Sequence, residues 1–351
     1  MKLKSKVAGL LMVVVVATSF FSCKKSDAVP DPIVVIPPTP PPASTFAKGA
    51  DVGWLTQMEA SGKKFYNASG AEQECMLLLK NLGMNSIRLR VWVNPSSGWN
   101  NEADVLAKAT RAKNLGLRIL IDFHYSDSWA DPGQQTKPTG WASQDIAALQ
   151  TSVYNHTFTV LTTLKNAGIT PDWVQVGNET NNGMLWPEGR ASTNMPNFAL
   201  LVNAGYNAVK AINTTIKVIV HVSNGQDNSL FRWMFDGLKN NNAKWDVIGM
   251  SLYPEPTNWS SFNSQCLANM NDMVSRYNKE LMVCEVGMSW DQPTACQAFL
   301  TDLIAKTKSV IDNKGIGVMY WEPQSYGNWQ GYTKGTFDNS GKPTVALNAF
   351  N

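Results

Sequence analysis

The sequence predicts one (β/α)8 barrel, an α/β fold forming a single catalytic domain, on three observations. Short strand-like runs alternate with longer stretches of helical periodicity eight times within about 300 residues, the pattern of βα units around a parallel sheet. Three helical stretches end on Gly and pass straight into a strand, in LKNLGMNSIRL, AKNLGLRILI and LKNAGITPDWV; Gly is the residue that most readily stops a helix in this way. The rival α/β arrangement, a doubly wound open sheet, normally carries a Gly-rich phosphate turn after a strand, and no G-x-G-x-x-G occurs.

In chain order the strand candidates are Ala50–Trp54, Ser86–Trp92, Arg118–Phe123, Trp173–Gly177, Lys217–Val222, Val247–Leu252, Leu281–Val286 and Gly317–Trp321. Each is a short run rich in apolar and β-branched residues, of strand length. Between them Glu72–Leu82, Glu102–Asn114, Asp145–Ala167, Phe198–Ile212 and Thr294–Asp312 carry apolar residues at helical spacing. From Phe46 to the end no proline-rich or charged break interrupts the pattern, so residues 46–351 read as one domain.

The 351 residues and 44% hydrophobic content suffice for a large core. The net charge of +3 comes from Lys2, Lys4 and Lys6; setting them aside leaves 27 basic against 27 acidic residues. A neutral body has no phosphate-tracking surface, so nucleic acid is not an expected partner. Residues 1–22 read as an export signal, with three lysines, the apolar run Val7–Phe21 and Ser22. They resemble a bacterial lipoprotein signal, which would make Cys23 the lipidated first residue of the mature chain and attach the protein to a membrane. Ordinary cleavage with an incidental Cys23 is the alternative. Residues 23–45 then form a tether holding seven of the 18 prolines, a semi-rigid spacer. Of the remaining cysteines, Cys75, Cys266, Cys284 and Cys296 allow three full disulfide pairings, while Cys284 lies in an apolar run and reads equally as a buried free thiol.

Several chemistries lack their residues. There is no G-x-S-x-G, no H-E-x-x-H, no G-x-x-x-x-G-K-[ST], and no Cys/His cluster of metal-ligand spacing. Carboxylates are left, and in a barrel the functional ones sit where strands end. Glu179 follows the fourth strand in DWVQVGNETNNGMLWPEG, and Glu285 lies in the seventh in KELMVCEVGMSWD. A Glu in an apolar strand is costly unless it is partnered or has a function. Either one alone reads equally as a structural ion-pair member; as a pair facing each other across the barrel mouth they suit glycoside hydrolysis. Trp54, Trp92, Trp99, Trp129, Trp141, Trp186, Trp290, Trp321 and Trp329 all fall at strand ends or in the loops that follow, and imply an aromatic groove for sugar rings.

The segments ADVGWL, GMNSIRLRVWVNP, DFHYSDSWADPGQQTKPTGW, VQVGNETNNGMLWPEG, SLYP, CEVGMSW and MYWEP together resemble the family 53 glycoside hydrolases, endo-β-1,4-galactanases of a retaining (β/α)8 clan, from about Lys48 to Asp338. The resemblance implies Glu179 as acid/base and Glu285 as nucleophile. It implies Asn178 at the sugar 2-hydroxyl, Arg88 beside the nucleophile and Tyr253 hydrogen-bonding the nucleophile; Arg90, on the same strand face as Arg88 by period two, is expected to share its role. Trp321 would floor the cleaved sugar's site, with His124, Asp127, Trp129 and His221 as substrate contacts; for His221 a buried, satisfied histidine is the alternative. It further implies β-1,4-galactan of pectin side chains as substrate, with no cofactor and a monomer expected; no metal is expected either, since the short loop after strand seven, GMSWDQPTACQ, has no oxygen-rich run for the calcium that some bacterial members hold. The lipoprotein signal implies a membrane anchor, and Lys24, Lys25, Ser26 and Asp27 after the cysteine suit an outer membrane and its surface. In two places the chain departs from the family: Glu255 stands where an aromatic is expected and Ser223 where an acid is. Another β-1,4-glycanase of the clan, a mannanase or cellulase, and a non-catalytic glycan-binding lipoprotein are the competing readings.

Overall fold

The computed structural model describes residues 46–351; the expected export signal, Cys23 and the proline-rich tether lie outside the described residues. Eight parallel strands close on themselves in chain order: β1 (Ala47–Asp51), β2 (Ser86–Val91), β3 (Arg118–Phe123), β4 (Trp173–Val176), β5 (Lys217–Val222), β6 (Val247–Leu252), β7 (Glu280–Val286) and β8 (Gly315–Trp321), the last pairing back with β1. This is a TIM barrel, and the open sheet is excluded.

The helices depart from strict repetition. Two short ones, α1 (Leu55–Ala60) and α2 (Cys75–Asn81), separate β1 from β2. Then α3 (Glu102–Asn114), α4 (Ile146–Asn166), α5 (Ala191–Ile212), α6 (Asn228–Asn240), α7 (Trp259–Tyr277) and α8 (Pro293–Lys308) follow β2 to β7 in turn. After β8 the chain closes with the 3₁₀ turn Val345–Phe350, which buries Ala346, Leu347 and Phe350 in place of an eighth outer helix.

The three Gly stops behave alike. Gly83, Gly116 and Gly168 have φ of 93°, 70° and 69°, and the next residues, Met84, Leu117 and Ile169, donate back to Leu79, Ala112 and Leu164 carbonyls, the closure that satisfies a helix's last carbonyls. Other ends are moved by side chains. Helix α5 begins seven residues before Phe198, since a first turn from Ala191 is joined to the main helix across a kink at Asn194, ahead of Pro196. Helix α6, absent from the expected set, starts where the Asp227 side chain accepts from Leu230 N and buries Phe231, Met234, Phe235 and Leu238. That spacing of three and four was there to be read.

The core has two parts. Apolar residues facing outward from the strands pack under the helices. Inside the barrel a second cluster, Ala47, Leu120, Trp173, Ile219, Val247, Met282, Cys284 and Met319, forms a floor. Two residues further along β3, β4 and β5 the inward positions turn polar, at Asp122, Gln175 and His221, joined by Asp51, four residues beyond Ala47 on β1, and by Arg88 on β2, all fully buried. With period-two alternation this polar layer lies above the apolar floor at the C-terminal mouth. Cys75, Cys266, Cys284 and Cys296 are buried free thiols, so none of the three pairings forms; burial pushes the last three up to about 12.

Candidate active site

Glu285 reaches the mouth through an irregularity. Met282 and Cys284 both face the interior, so strict alternation would turn Glu285 outward. The pairing of β7 with β6 slips here, Met250 opposing Val283 but Ser251 opposing Glu285, and the pairing with β8 slips at the same place. A bulge of this kind re-aims a side chain, and it brings Glu285, 5% exposed, into the polar layer.

Arg88 is the hub of that layer. Its Nη1 lies 2.7 Å from Asp51 Oδ2 and 2.8 Å from Glu285 Oε1; its Nη2 lies 2.9 Å from Asp122 Oδ2 and donates to Asn178 Oδ1 at 2.9 Å and Gln175 Oε1 at 3.1 Å. Burial works against its charge, but Asp122, Glu285 and Asp51 outweigh it and hold the guanidinium protonated. Tyr253 Oη donates to Glu285 Oε2 at 3.0 Å, and burial beside Glu285 keeps that phenol protonated. Burial raises the Glu285 carboxyl above its usual range; Arg88 and the Tyr253 bond oppose the rise.

Glu179 has no such cation. It lies just past β4 with φ of 44°, a left-handed conformation uncommon outside Gly, Asn and Asp, and its Oε1 accepts from Ser251 Oγ at 2.6 Å. Burial first, and the Glu285 charge second, push its carboxyl up to about 8. Behind Ser251 stands His221, fully buried, whose Nε2 lies 2.8 Å from Ser251 Oγ and whose Nδ1 lies 3.3 Å from Glu179 N and 3.0 Å from Gln175 Nε2. Burial and Arg88 keep this ring neutral. The tautomer that satisfies these partners donates from Nε2–H to Ser251, whose own hydroxyl donates to Glu179.

A cleft of about 780 Å³ opens above these groups. Four indoles line it, Trp54, Trp92, Trp129 and Trp321, with Trp54 and Trp321 centroids 5.0 Å apart and Trp92 and Trp129 5.1 Å apart. The other five tryptophans read as rim residues do not line it: Trp141 and Trp329 pack against the core, and Trp290 borders a neighbouring pocket. His124 lines the cleft, but both nitrogens are engaged, Nδ1 accepting from Trp92 Nε1 and Ala130 N, Nε2 facing Asp122 at 3.0 Å.

Three residues expected at the site, Asp127, His221 and Arg90, stand off the cleft. Asp127 does not line the cleft; its two oxygens accept from Asn94 N and Thr139 N and so tie two loops together, while Asp131, four residues on, borders the cleft. His221 is sealed under Glu179, the buried and satisfied histidine. Arg90 shares the strand face of Arg88 but not its role: it pairs with Glu322 and lies 3.5 Å from Asp51. Arg88 and Arg90 are both sealed from the cleft. Asn178, Glu179, Tyr253, Glu285, Trp129 and Trp321 line it as expected.

The sequence reading passed over Asp51, Asp122, Gln175, Ser251 and Glu322. The signal was present in LIDF and WVQV, a lone polar residue inside an apolar strand, the same signal that marked Glu285. Among the described residues no group of three His, Cys, Asp or Glu side chains is placed to hold a metal ion. The arrangement offers one carboxyl outside any ion pair and kept protonated, one carboxylate fixed by a cation and a phenol, and an aromatic cleft above both. Such a set can protonate a leaving oxygen and attack a carbon in one place.

Comparison with known proteins agrees. The profile of Glycosyl hydrolase family 53 matches residues 47–350. A probable arabinogalactan endo-β-1,4-galactanase A of Neosartorya fischeri is 35% identical over 303 residues, 80% of this chain and 85% of that protein. A solved fungal β-1,4-galactanase superposes with a TM-score of 0.80 at 32% identity, covering 87% of this chain and 98% of the other. The family 53 catalytic domain of Ignisphaera aggregans gives 0.80 at 31% identity, covering 88% and 96%.

Proposed function

The chain belongs to glycosyl hydrolase family 53, and from that premise we propose that it is an endo-β-1,4-galactanase that cleaves galactan by double displacement with retention. The observation that carries the reading is the unequal environment of the two glutamates: Glu285 lies 2.8 Å from Arg88, whereas Glu179 forms no ion pair among the described residues and is pushed up to about 8. The substrate class follows from relatives that are named galactanases and match most of the chain.

In the first step ionised Glu285 attacks the anomeric carbon, the bond to the leaving O4 breaks, and Glu179 gives that oxygen its proton. An ester now joins the galactosyl unit to Glu285, and the neighbouring negative charge is gone. That charge had helped raise Glu179, so the group is a stronger acid at this stage. Glu179, now ionised, takes a proton from water as the water oxygen attacks the anomeric carbon and frees Glu285. Arg88 and Tyr253 hold Glu285 in line, and Ser251, backed by His221, orients Glu179. Asn178 sits at the cleft floor with its Oδ1 on Arg88 and its Nδ2 donating to the Ala130 carbonyl, a fixed polar edge for the sugar 2-hydroxyl.

The proposal extends to the N-terminus: Cys23 carries the lipid, and the monomeric enzyme works from a membrane surface, the outer membrane of the bacterium. The Lys2, Lys4 and Lys6 charges, the apolar run Val7–Phe21 and Ser22 before Cys23 support export and lipidation, and Lys24, Lys25, Ser26 and Asp27 after the cysteine support the outer membrane. Chromatography of products from linear β-1,4-galactan, mannan and cellulose tests the activity. Oligosaccharides from galactan alone are expected; release from mannan or cellulose instead would replace the substrate, and no products from any would leave a binding protein.

A further inference from the structure

Arg90 takes no part in the displacement, yet it is 1% exposed at the centre of the mouth. Its Nη1 binds the carboxylate of Glu322, itself fully buried and held at φ of 47°. Its Nε and Nη2 find no hydrogen-bond partner among the described residues. What surrounds the guanidinium is indole: the ring centroids of Trp129, Trp54, Trp92 and Trp321 lie 4.5, 5.2, 5.6 and 6.0 Å from Cζ. These are the same four rings that line the cleft. Glu322 adds a second tie, accepting from Trp54 N at 3.0 Å and from the Gln324 side chain. Asp51 links the arrangement to the hub, its Oδ1 3.5 Å from Arg90 and its Oδ2 2.7 Å from Arg88.

We propose that the buried Arg90–Glu322 pair is a positioning device that sets the four cleft indoles as one sugar-binding platform. A planar, weakly hydrated cation can attract several ring faces at once, which no aliphatic side chain of similar volume does. A buried ion pair is also a poor source of stability, since well-packed apolar groups of the same size often do as well or better. The pair therefore owes its place to geometry: a guanidinium anchored on one side by Glu322 leaves its other edge to the rings. Rings fixed in this way meet a sugar chain without first losing rotamer freedom, so the pair acts on substrate binding and not on the reacting carboxyls. The inference about sugar rests on the galactanase reading; the inference about ring geometry does not.

The test is R90M/E322Q in the full chain, which removes both charges together and leaves neither buried alone, with R90K as the conservative variant. Near-ultraviolet circular dichroism of the free protein is expected to lose tryptophan intensity in the double variant. Its KM for linear galactan is expected to rise about tenfold or more while kcat falls less than about threefold. R90K should fall between wild type and the double variant in both readouts. A merely structural role would lower the melting temperature and leave the dichroism and KM of the folded protein unchanged, and that result overturns the proposal. A collapse of kcat at unchanged KM overturns it too, because Arg90 would then act on the carboxyls. Should the double variant not fold, R90K alone decides, wild-type values in both readouts counting against it. If wild type fails to cleave galactan, the galactanase reading falls while the dichroism still tests the platform.

Discussion

A carboxyl group donates a proton near neutrality only if its surroundings keep it protonated, and at Glu179 burial and the Glu285 charge do so up to about pH 8. The descending limb of kcat/KM against pH is therefore expected near 8, and a limb near 5 would contradict the acid role. E179Q and E285Q should each lower kcat on galactan by about 10³-fold or more at an unchanged fold, measured as reducing-sugar release. The same shift has a stability consequence. In the unfolded chain Glu179 ionises near its ordinary 4.5 and in the folded chain near 8, so its contribution is fully present below 4.5 and lost as pH rises to 8. E179Q cannot ionise; it should melt roughly 2–5 °C above wild type at pH 8.5 and close to it at pH 4, by calorimetry. Glu179 and Glu285 were legible as candidates because their type and strand-end positions carry the chemistry, whereas Tyr253 came only from the family motif SLYP. Arg90 and Asp127 stand off the cleft and His221 takes its buried, satisfied alternative, because a motif gives position, whereas partner choice is settled by residues elsewhere in the chain: Glu322, Asn94 and Ser251.

At the scale of elements, alternation along β7 fails where it matters. Only the slipped pairing with β6 and β8 lets Cys284 and Glu285 both face inward, and register is a relation between strands that no single strand reveals. The Gly stops are the opposite case, local signals with a local cause, and they separate two contributions to stability. A Cβ at Gly116, φ 70°, would meet nothing within 4 Å, whereas at Gly83, φ 93°, it would lie 2.2 Å from the Phe350 carbonyl oxygen. G116A should then cost about 1 kcal/mol, for the left-handed backbone alone. G83A should cost roughly 2–4 kcal/mol, since it also displaces the 3₁₀ turn at the end of the chain. Denaturant unfolding of the two variants checks the difference; equal losses would mean that the closing turn yields freely.

Across the whole molecule, rhythm carried the barrel: eight strands were placed to within a few residues, since short apolar runs between Gly-terminated helices have few other ways to pack. Its irregular closure, two helices after β1 and a 3₁₀ turn after β8, was not legible, because periodicity cannot say which βα unit is abbreviated. The N-terminal reading makes its own prediction. C23S should move the protein from the membrane fraction to the soluble one with kcat on galactan within about twofold of wild type, by fractionation and assay; retention in the membrane would contradict lipidation at Cys23. The most direct test of the glutamate pair is proton NMR of the reducing end while the enzyme cleaves linear β-1,4-galactan. Double displacement through Glu285 predicts that the β-anomer appears first and the α-anomer only later by mutarotation. First appearance of the α-anomer would mean a single displacement, and the roles given to Glu179 and Glu285 would be wrong.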